Sequence, residues 1–177
     1  MSPPRRQAIS GLKYSQGLCL LRLGQSLDDR AAGLCRELAD QEINLVFAGG
    51  GSEDGGPGEL CLCLREEYLA QAWQAARAQG GGGELASPEI ISPVALLTIY
   101  PLGPGLSLCG RVLASLAGAG LTHLALGTSL SALVVALPQD DLPQALEALQ
   151  GLLELPAGVG PTHQPVTTMT VAKRPPA

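Results

Sequence analysis

Residues 34–47 read LCRELADQEINLVF, and residues 112–126 read VLASLAGAGLTHLAL. A chain that writes the same helix-to-strand passage twice has to build the same unit twice. Overlaid, the passages put Leu38 on Leu116, Ala39 on Ala117, Ile43 on Leu121 and Leu45 on His123. Downstream, LREEYLAQAWQAAR (64–77) falls on LPQDDLPQALEALQ (137–150), so that Leu69, Gln71 and Ala72 match Leu142, Gln144 and Ala145. Upstream, LCLLRL (18–23) corresponds to ALLTIY (95–100). Both are short apolar runs of the kind that form buried strands. The protein reads as an internal duplication whose first copy carries the longer loop.

In the first copy, strand 18–23 leads through GQSLDD into a helix over 28–41 with Leu34, Cys35 and Leu38 on one stripe. Ser26 followed by Asp29 has the spacing of a capping box. INLVFA then reads as a strand, GGGSEDGGPG as a hairpin loop, and ELCLCL as a strand with Leu60, Leu62 and Leu64 on one face and Cys61 and Cys63 on the other. A helix over 66–78 follows, opened by Glu66 and Glu67, whose charges suit a helix N-terminus. The second copy repeats this order as strand 94–100, helix 107–118, strand 121–126, strand 130–137 and helix 140–153. AISGLKY (8–14) adds a spare strand in front, QPVTTMTVA (164–172) a closing strand, and EIIS a short strand before Pro93. A βαββαβ order is the split βαβ, or ferredoxin-like, sandwich. The fold class is therefore α+β: two such units at 8–85 and 88–172, with antiparallel sheets, helices on one face, and terminal strands that can be exchanged between units.

Composition narrows the function. The 177 residues include two lysines and nine arginines at a net charge of −5, so no basic face points to nucleic acid or an anionic membrane. Only one Trp, one Phe and three Tyr are present, too few for base stacking or aromatic cages. No run of about 18 uncharged apolar residues suggests a membrane span, and the arginines near the start precede no apolar stretch. Five cysteines without paired spacing fit reduced thiols, and the expected location is the cytoplasm.

Motifs for chemistry are scarce. GGGSEDGGPG runs into a strand, whereas a phosphate-cradling loop opens a helix. Cys61 and Cys63 have no second Cys or His pair to complete a metal site. His123, within an apolar strand, and His163, in a Pro-rich loop, have no nucleophile beside them and read as structural or surface residues. Trp73 reads as packing, and Asp140 and Asp141 as solvated first-turn charges. No catalytic constellation, cofactor motif or metal site is expected.

The order strand, Gly/Pro loop, A-x-x-L-A-x-x-x-I-N, strand, hairpin, strand, helix resembles the ACT domain, a regulatory module that binds small ligands, commonly amino acids. More narrowly, AISGLKYSQGLCLLRLG (8–24), LADQEIN (38–44), RVLASLAGAGL (111–121), GTSLSALVVAL (127–137) and DDLPQALEAL (140–149) resemble the paired ACT domains at the C-terminal end of aspartokinases. The resemblance spans about residues 8–172 and rests on element order and duplication. It implies an allosteric sensor of an amino acid, lysine or threonine first, working as a homodimer through ACT–ACT pairing and associated with a biosynthetic enzyme. It implies no kinase activity in this chain, since an aspartokinase needs a separate catalytic domain, although the chain can carry that name by descent.

The ligand is expected where the loop after the first strand meets the second strand of a neighbour, and free N–H groups at a helix N-terminus suit a carboxylate there. The implied ligand-binding residues are Ser26, Asp28, Asp29, Asn44 and Gly50 in the first copy, and Gly105, Ser107, Thr122, Thr128 and Ser129 in the second. The chain departs from the family where SLDDRA replaces an Asp-x-Pro-Gly-like stretch, where Gly50 and Gly51 replace ligand-facing amides, and where Leu130 replaces an acidic residue. Gly50, Gly51 and Leu130 favour the alternative, an assembly module of degenerate ACT domains that binds no ligand, whereas the paired Asp28 and Asp29 favour the sensor.

Overall fold

The computed structural model describes residues 6–24, 29–51, 58–79, 88–100, 107–129 and 131–166. In chain order the elements are β1 (Gln7–Ala8), β2 (Gly11–Gly24), α1 (Asp29–Asp40), β3 (Leu45–Gly51), β4 (Glu59–Arg65), α2 (Leu69–Ala78) and β5 (Glu89–Tyr100). They continue with α3 (Ser107–Gly118), β6 (Ala125–Thr128), β7 (Leu133–Pro138), α4 (Leu142–Gln150), β8 (Leu153–Glu154) and β9 (Thr162–His163). Single 3-10 turns at Glu66–Tyr68 and Gln139–Asp141 precede α2 and α4.

The chain divides into two compact units, one of Met1–Leu18 with Ser92–Pro165 and the other of Cys19–Ile91 with Val166–Ala177. In the Cys19–Ile91 unit the strand order is β3-β4-β2-β5, with β3 and β4 antiparallel. Its core packs Cys19, Leu21, Leu62 and Leu64 from the strands against Leu34 and Leu38 of α1 and Ala72, Ala75 and Ala76 of α2. The alanines keep α2 close to the sheet. Arg30 Nε reaches from α1 to the carbonyl of Gln79 at 2.8 Å, capping the C-terminal end of α2.

In the other unit the order is β6-β7-β5-β2, with β5–β7 and β6–β7 antiparallel, and β9 pairs with β2 in parallel. Ala95, Leu97 and Ile99 of β5 and Leu133, Val135 and Leu137 of β7 face Leu108, Val112 and Leu116 of α3 and Leu142, Ala145 and Leu149 of α4. Ser115 Oγ donates to the carbonyl of Ala148 at 3.0 Å, and Gln144 Nε2 to that of Ala119 at 2.9 Å, tying the two helices together.

Several elements differ from the sequence reading. The spare strand expected at 8–14 is split: Ala8 belongs to β1, while residues 11–14 run on into the strand expected at 18–23 as one continuous β2. Gly17 takes φ +69° within it and donates its N–H to Gln139 Oε1 at 2.7 Å, so the irregularity is absorbed without breaking the strand. Similarly, EIIS and strand 94–100 form a single β5. Residues 8–18, expected in the first unit, pack with 92–165. β3 runs on into the glycines of the expected loop, and the ring of Phe47 lies where a Cβ on Gly49 would sit, 2.8 Å away. Cys35 is exposed, so the buried stripe of α1 is Leu34 and Leu38. The closing strand expected at 164–172 lies mostly outside the described residues, while β8 and β9 are short pieces that no periodicity announced.

The repeated passage owes its form to a helix C-cap present in both copies. After α1, Ile43 N–H donates to the carbonyl of Leu38 at 2.9 Å and Glu42 N–H to that of Ala39 at 3.0 Å. After α3, Leu121 donates to Leu116 at 3.0 Å and Gly120 to Ala117 at 2.9 Å. This is the Schellman pair of bonds, with the hydrophobic contacts Leu38–Ile43 and Leu116–Leu121 buried beneath it. It also explains why β6 starts at 125 and not 121: Leu121 is spent on the cap, and His123 is exposed in the connection. The left-handed position is Gly120 at φ +74° in one copy and Glu42 at φ 58° in the other. Exchanging the residue types is expected to give opposite signs in denaturant unfolding. Glu42→Gly gains and Gly120→Ala loses, each by about 1 kcal/mol, the latter purely by backbone strain because nothing lies within 4 Å of a Cβ there.

Candidate ligand site

The crossovers sort by level the seven of the ten sequence-derived residues that are described. In the Cys19–Ile91 unit, Asp29 is the first residue of α1 and Asn44 follows its far end. Twelve residues of α-helix separate these ends by about 18 Å. β3 then runs back through about 20 Å, which returns exposed Gly50, paired with Leu60, to the level where α1 begins. Asp29 and Gly50 therefore share one end of this unit and half-buried Asn44 stands at the other. Ser26 and Asp28 lie outside the described residues.

The second set follows the same logic. Exposed Ser107 opens α3, and Thr128 ends β6 opposite Leu133, so the crossover carries them to one end together with Ser129. Thr122, exposed after the C-terminus of α3, belongs to the opposite end. Ser129 is occupied in closing the β6–β7 turn: its N–H donates to Ala132 at 2.8 Å, and its Oγ accepts from the N–H groups of Ser131 at 3.3 Å and Ala132 at 3.0 Å. Gly105 lies outside the described residues.

Away from these loops, a cleft opens on the unit containing β1 and β8. A hollow of about 340 Å³ is lined by Arg6, Gln7, Ala8, Arg111 and Glu154. It adjoins one of about 440 Å³ that shares Arg6 and Glu154 and is floored by Leu12, Leu149, Leu153 and Leu155. None of these residues is among the ligand contacts expected from the sequence. They are scattered over 150 positions, and only the parallel pairing of β1 with β8, Gln7 opposite Leu153 and Ala8 opposite Glu154, assembles them.

Arg22 bridges Glu59 at 2.6 Å and Glu89 at 2.9 Å. Burial alone would lower the guanidinium, but its hydrogen bonds with Glu89 and Cys61 and the charges of both carboxylates hold it above its ordinary range. Burial pushes the Cys63 thiol up to about 12, with Cys19 beside it adding to the effect. Cys19 is pushed up to about 11 by burial and then by Glu66. Such thiols stay protonated and unreactive near neutral pH. Among the described residues no group of three His, Cys, Asp or Glu side chains is placed to hold a metal ion, and no helix is long and apolar enough to cross a membrane.

No protein-family model and no curated protein sequence matches the chain. Solved structures do match. The ligand-free regulatory subunit of aspartate kinase from Thermus thermophilus superposes with a TM-score of 0.71 at 18% identity, over 84% of this chain and 100% of that one. The corresponding subunit from Thermus flavus gives 0.71 at 16% identity, over 81% and 97%. Aspartate kinase from Synechocystis gives 0.67 at 17% identity over 86% of this chain, a match confined to 28% of that larger protein. At these identities the likeness is one of fold, and the chain has the ACT-type fold of aspartate kinase regulatory subunits.

Proposed function

We propose that this chain is a regulatory module that binds a free amino acid and passes the binding energy to an associated biosynthetic enzyme in the cytoplasm, with lysine or threonine as the ligand. The observation that carries the reading is the extent of the structural match, which takes in 97–100% of two chains described as regulatory subunits of aspartate kinase. No catalytic domain is included in that match, and the chain acts as a sensor without chemistry of its own. A homodimer formed by ACT–ACT pairing provides the second state that ligand binding must favour, because a ligand shifts an equilibrium only by its differential affinity for the two states.

A thermal-shift titration of the full chain with each of the twenty amino acids tests this. Lysine or threonine is expected to raise the melting temperature with concentration, by the equivalent of about 2.7 kcal/mol at a hundredfold excess over Kd. The double change Asp28→Ala with Asp29→Ala is expected to abolish the shift and leave the oligomeric state intact. A flat response to both amino acids at millimolar concentration favours the assembly module instead. Two observations motivate that second reading: β3 ends in Gly49, Gly50 and Gly51, which offer no polar side chain, and the Ser129 hydroxyl is engaged in its own turn.

A further inference from the structure

We infer that the hollow bounded by β1, α4 and β8 receives the turn at 156–159 of a second copy of this chain, reciprocally about a twofold axis. The contact goes beyond the homodimer proposed above and is separate from ligand sensing, since it uses none of the ten residues expected to meet a ligand. Residues 155–161 read LPAGVGP and carry no charge. Val159 N–H donates to the carbonyl of Pro156 at 3.0 Å and Gly158 takes φ +78°, which closes a tight turn and fixes its backbone. Among the described residues nothing lies within 4 Å of a Cβ at Gly158 or Gly160, so the turn stands clear of the rest of the chain. Val159 at its end is 45% exposed, the higher of the two exposed large hydrophobic residues described.

The hollow of about 440 Å³ lies at the base of that turn. Its floor is Leu12, Leu149 and Leu153, all at most 5% exposed, and its wall includes Leu155 and Pro161, the two ends of the turn segment. Val159 is not among the lining residues, so the chain does not fill its own hollow. An apolar projection and an apolar recess on one face are what an isologous contact requires, because a twofold axis seats each turn in the other copy's recess. Charge selects a second copy over other apolar partners. Arg6 and Glu154 both line the hollow, and the bonds from Gln7 N–H to the Leu152 carbonyl at 2.8 Å and from Ile9 N–H to that of Glu154 at 3.0 Å hold the main chain at Arg6 beside β8. Both side chains are exposed, and neither joins an ion pair or a side-chain hydrogen bond among the described residues. A partner surface of one charge sign leaves one of them unmatched. The same surface turned about a twofold axis matches both, Arg6 of each copy meeting Glu154 of the other. Such rim pairs fix register and partner choice, while the buried apolar turn supplies the attraction.

Analytical ultracentrifugation of the full chain over a rising concentration series tests the inference. The parent is expected to reach twice the mass of Val159→Asp, Arg6→Glu or Glu154→Arg, each of which weakens the contact by about tenfold or more. All three positions are exposed, so the variants keep the fold. An equimolar mixture of Arg6→Glu chains with Glu154→Arg chains is expected to regain the parent's mass, because each variant then faces opposite charges. The double reversal within one chain is expected to regain it as well. Equal masses for the parent and any of the three variants throughout the series, or a mixture no heavier than its separate components, would overturn the proposal. The three variants are expected to keep any thermal response to lysine or threonine. An absent response with the mixture rescued removes only the earlier reading, and a response retained with no rescue removes only this one.

Discussion

Leu38→Ala and Leu116→Ala are each expected to cost about 2–5 kcal/mol in urea unfolding. The two leucines occupy the same place in the duplicated passage, at 1% and 3% exposure, and each is packed in the core of its own unit. The carbonyl bonds of the C-cap survive the change, because they use the main chain. What is lost is the side chain that meets Ile43 or Leu121 under the cap, leaving a cavity where helix and strand diverge. Because the unfolding of two units can be non-concerted, the loss is best followed with probes in both. A loss below about 1 kcal/mol at either site, the scale of a surface substitution, would show that the repeat does not serve the same structural purpose in both copies.

Ala145→Asp is expected to destabilise its unit by about 3–5 kcal/mol, the scale of an uncompensated buried charge. Ala145 is fully buried on α4 among Leu97, Val135 and Leu149, with no polar partner in that cluster. Its counterpart Ala72→Asp on α2, also buried, is expected to behave likewise. The pH dependence follows from the sign of the shift. Burial raises the folded-state pKa of the introduced carboxyl above its unfolded value, so the folded state binds the extra proton. The penalty is full above the raised pKa and shrinks as pH falls toward the ordinary carboxylate range. Chemical denaturation of variant and parent at neutral and mildly acidic pH measures this. A difference that stays constant or grows on acidification would show that the side chain has escaped to solvent.

Much of the fold was legible because it is local. The helices over 29–40, 69–78, 107–118 and 142–150 lie within the spans their apolar spacing and first-turn acids announced, and the hairpin at 45–65 follows from alternation about a glycine-rich loop. The candidate site was legible in part. α1 and α3 begin at Asp29 and Ser107, close to the helix starts the pattern announced, whereas Thr128 ends a strand expected to finish at 126; Asn44 and Thr122 lie at the other end, because a helix of this length separates its two ends whatever the residue types. His123 left its expected strand because the Schellman cap consumed Leu121.

The sequence by itself determined the repeated helix-to-cap passage, the four helices with the strands that alternate with them, and which faces of the helices are apolar, since these depend on contacts between residues a few positions apart. Only the tertiary structure decided that residues 11–14 and 18–23 are one strand, that its first half packs with residues 92–165, and that Arg6, Arg111 and Glu154 line one cleft. Strand partners are chosen by non-local burial and hydrogen bonding, and two copies of nearly the same unit offer each edge more than one compatible neighbour. Periodicity does not distinguish between them, whereas the packing of Leu12, Ala95 and Leu149 into a single core does.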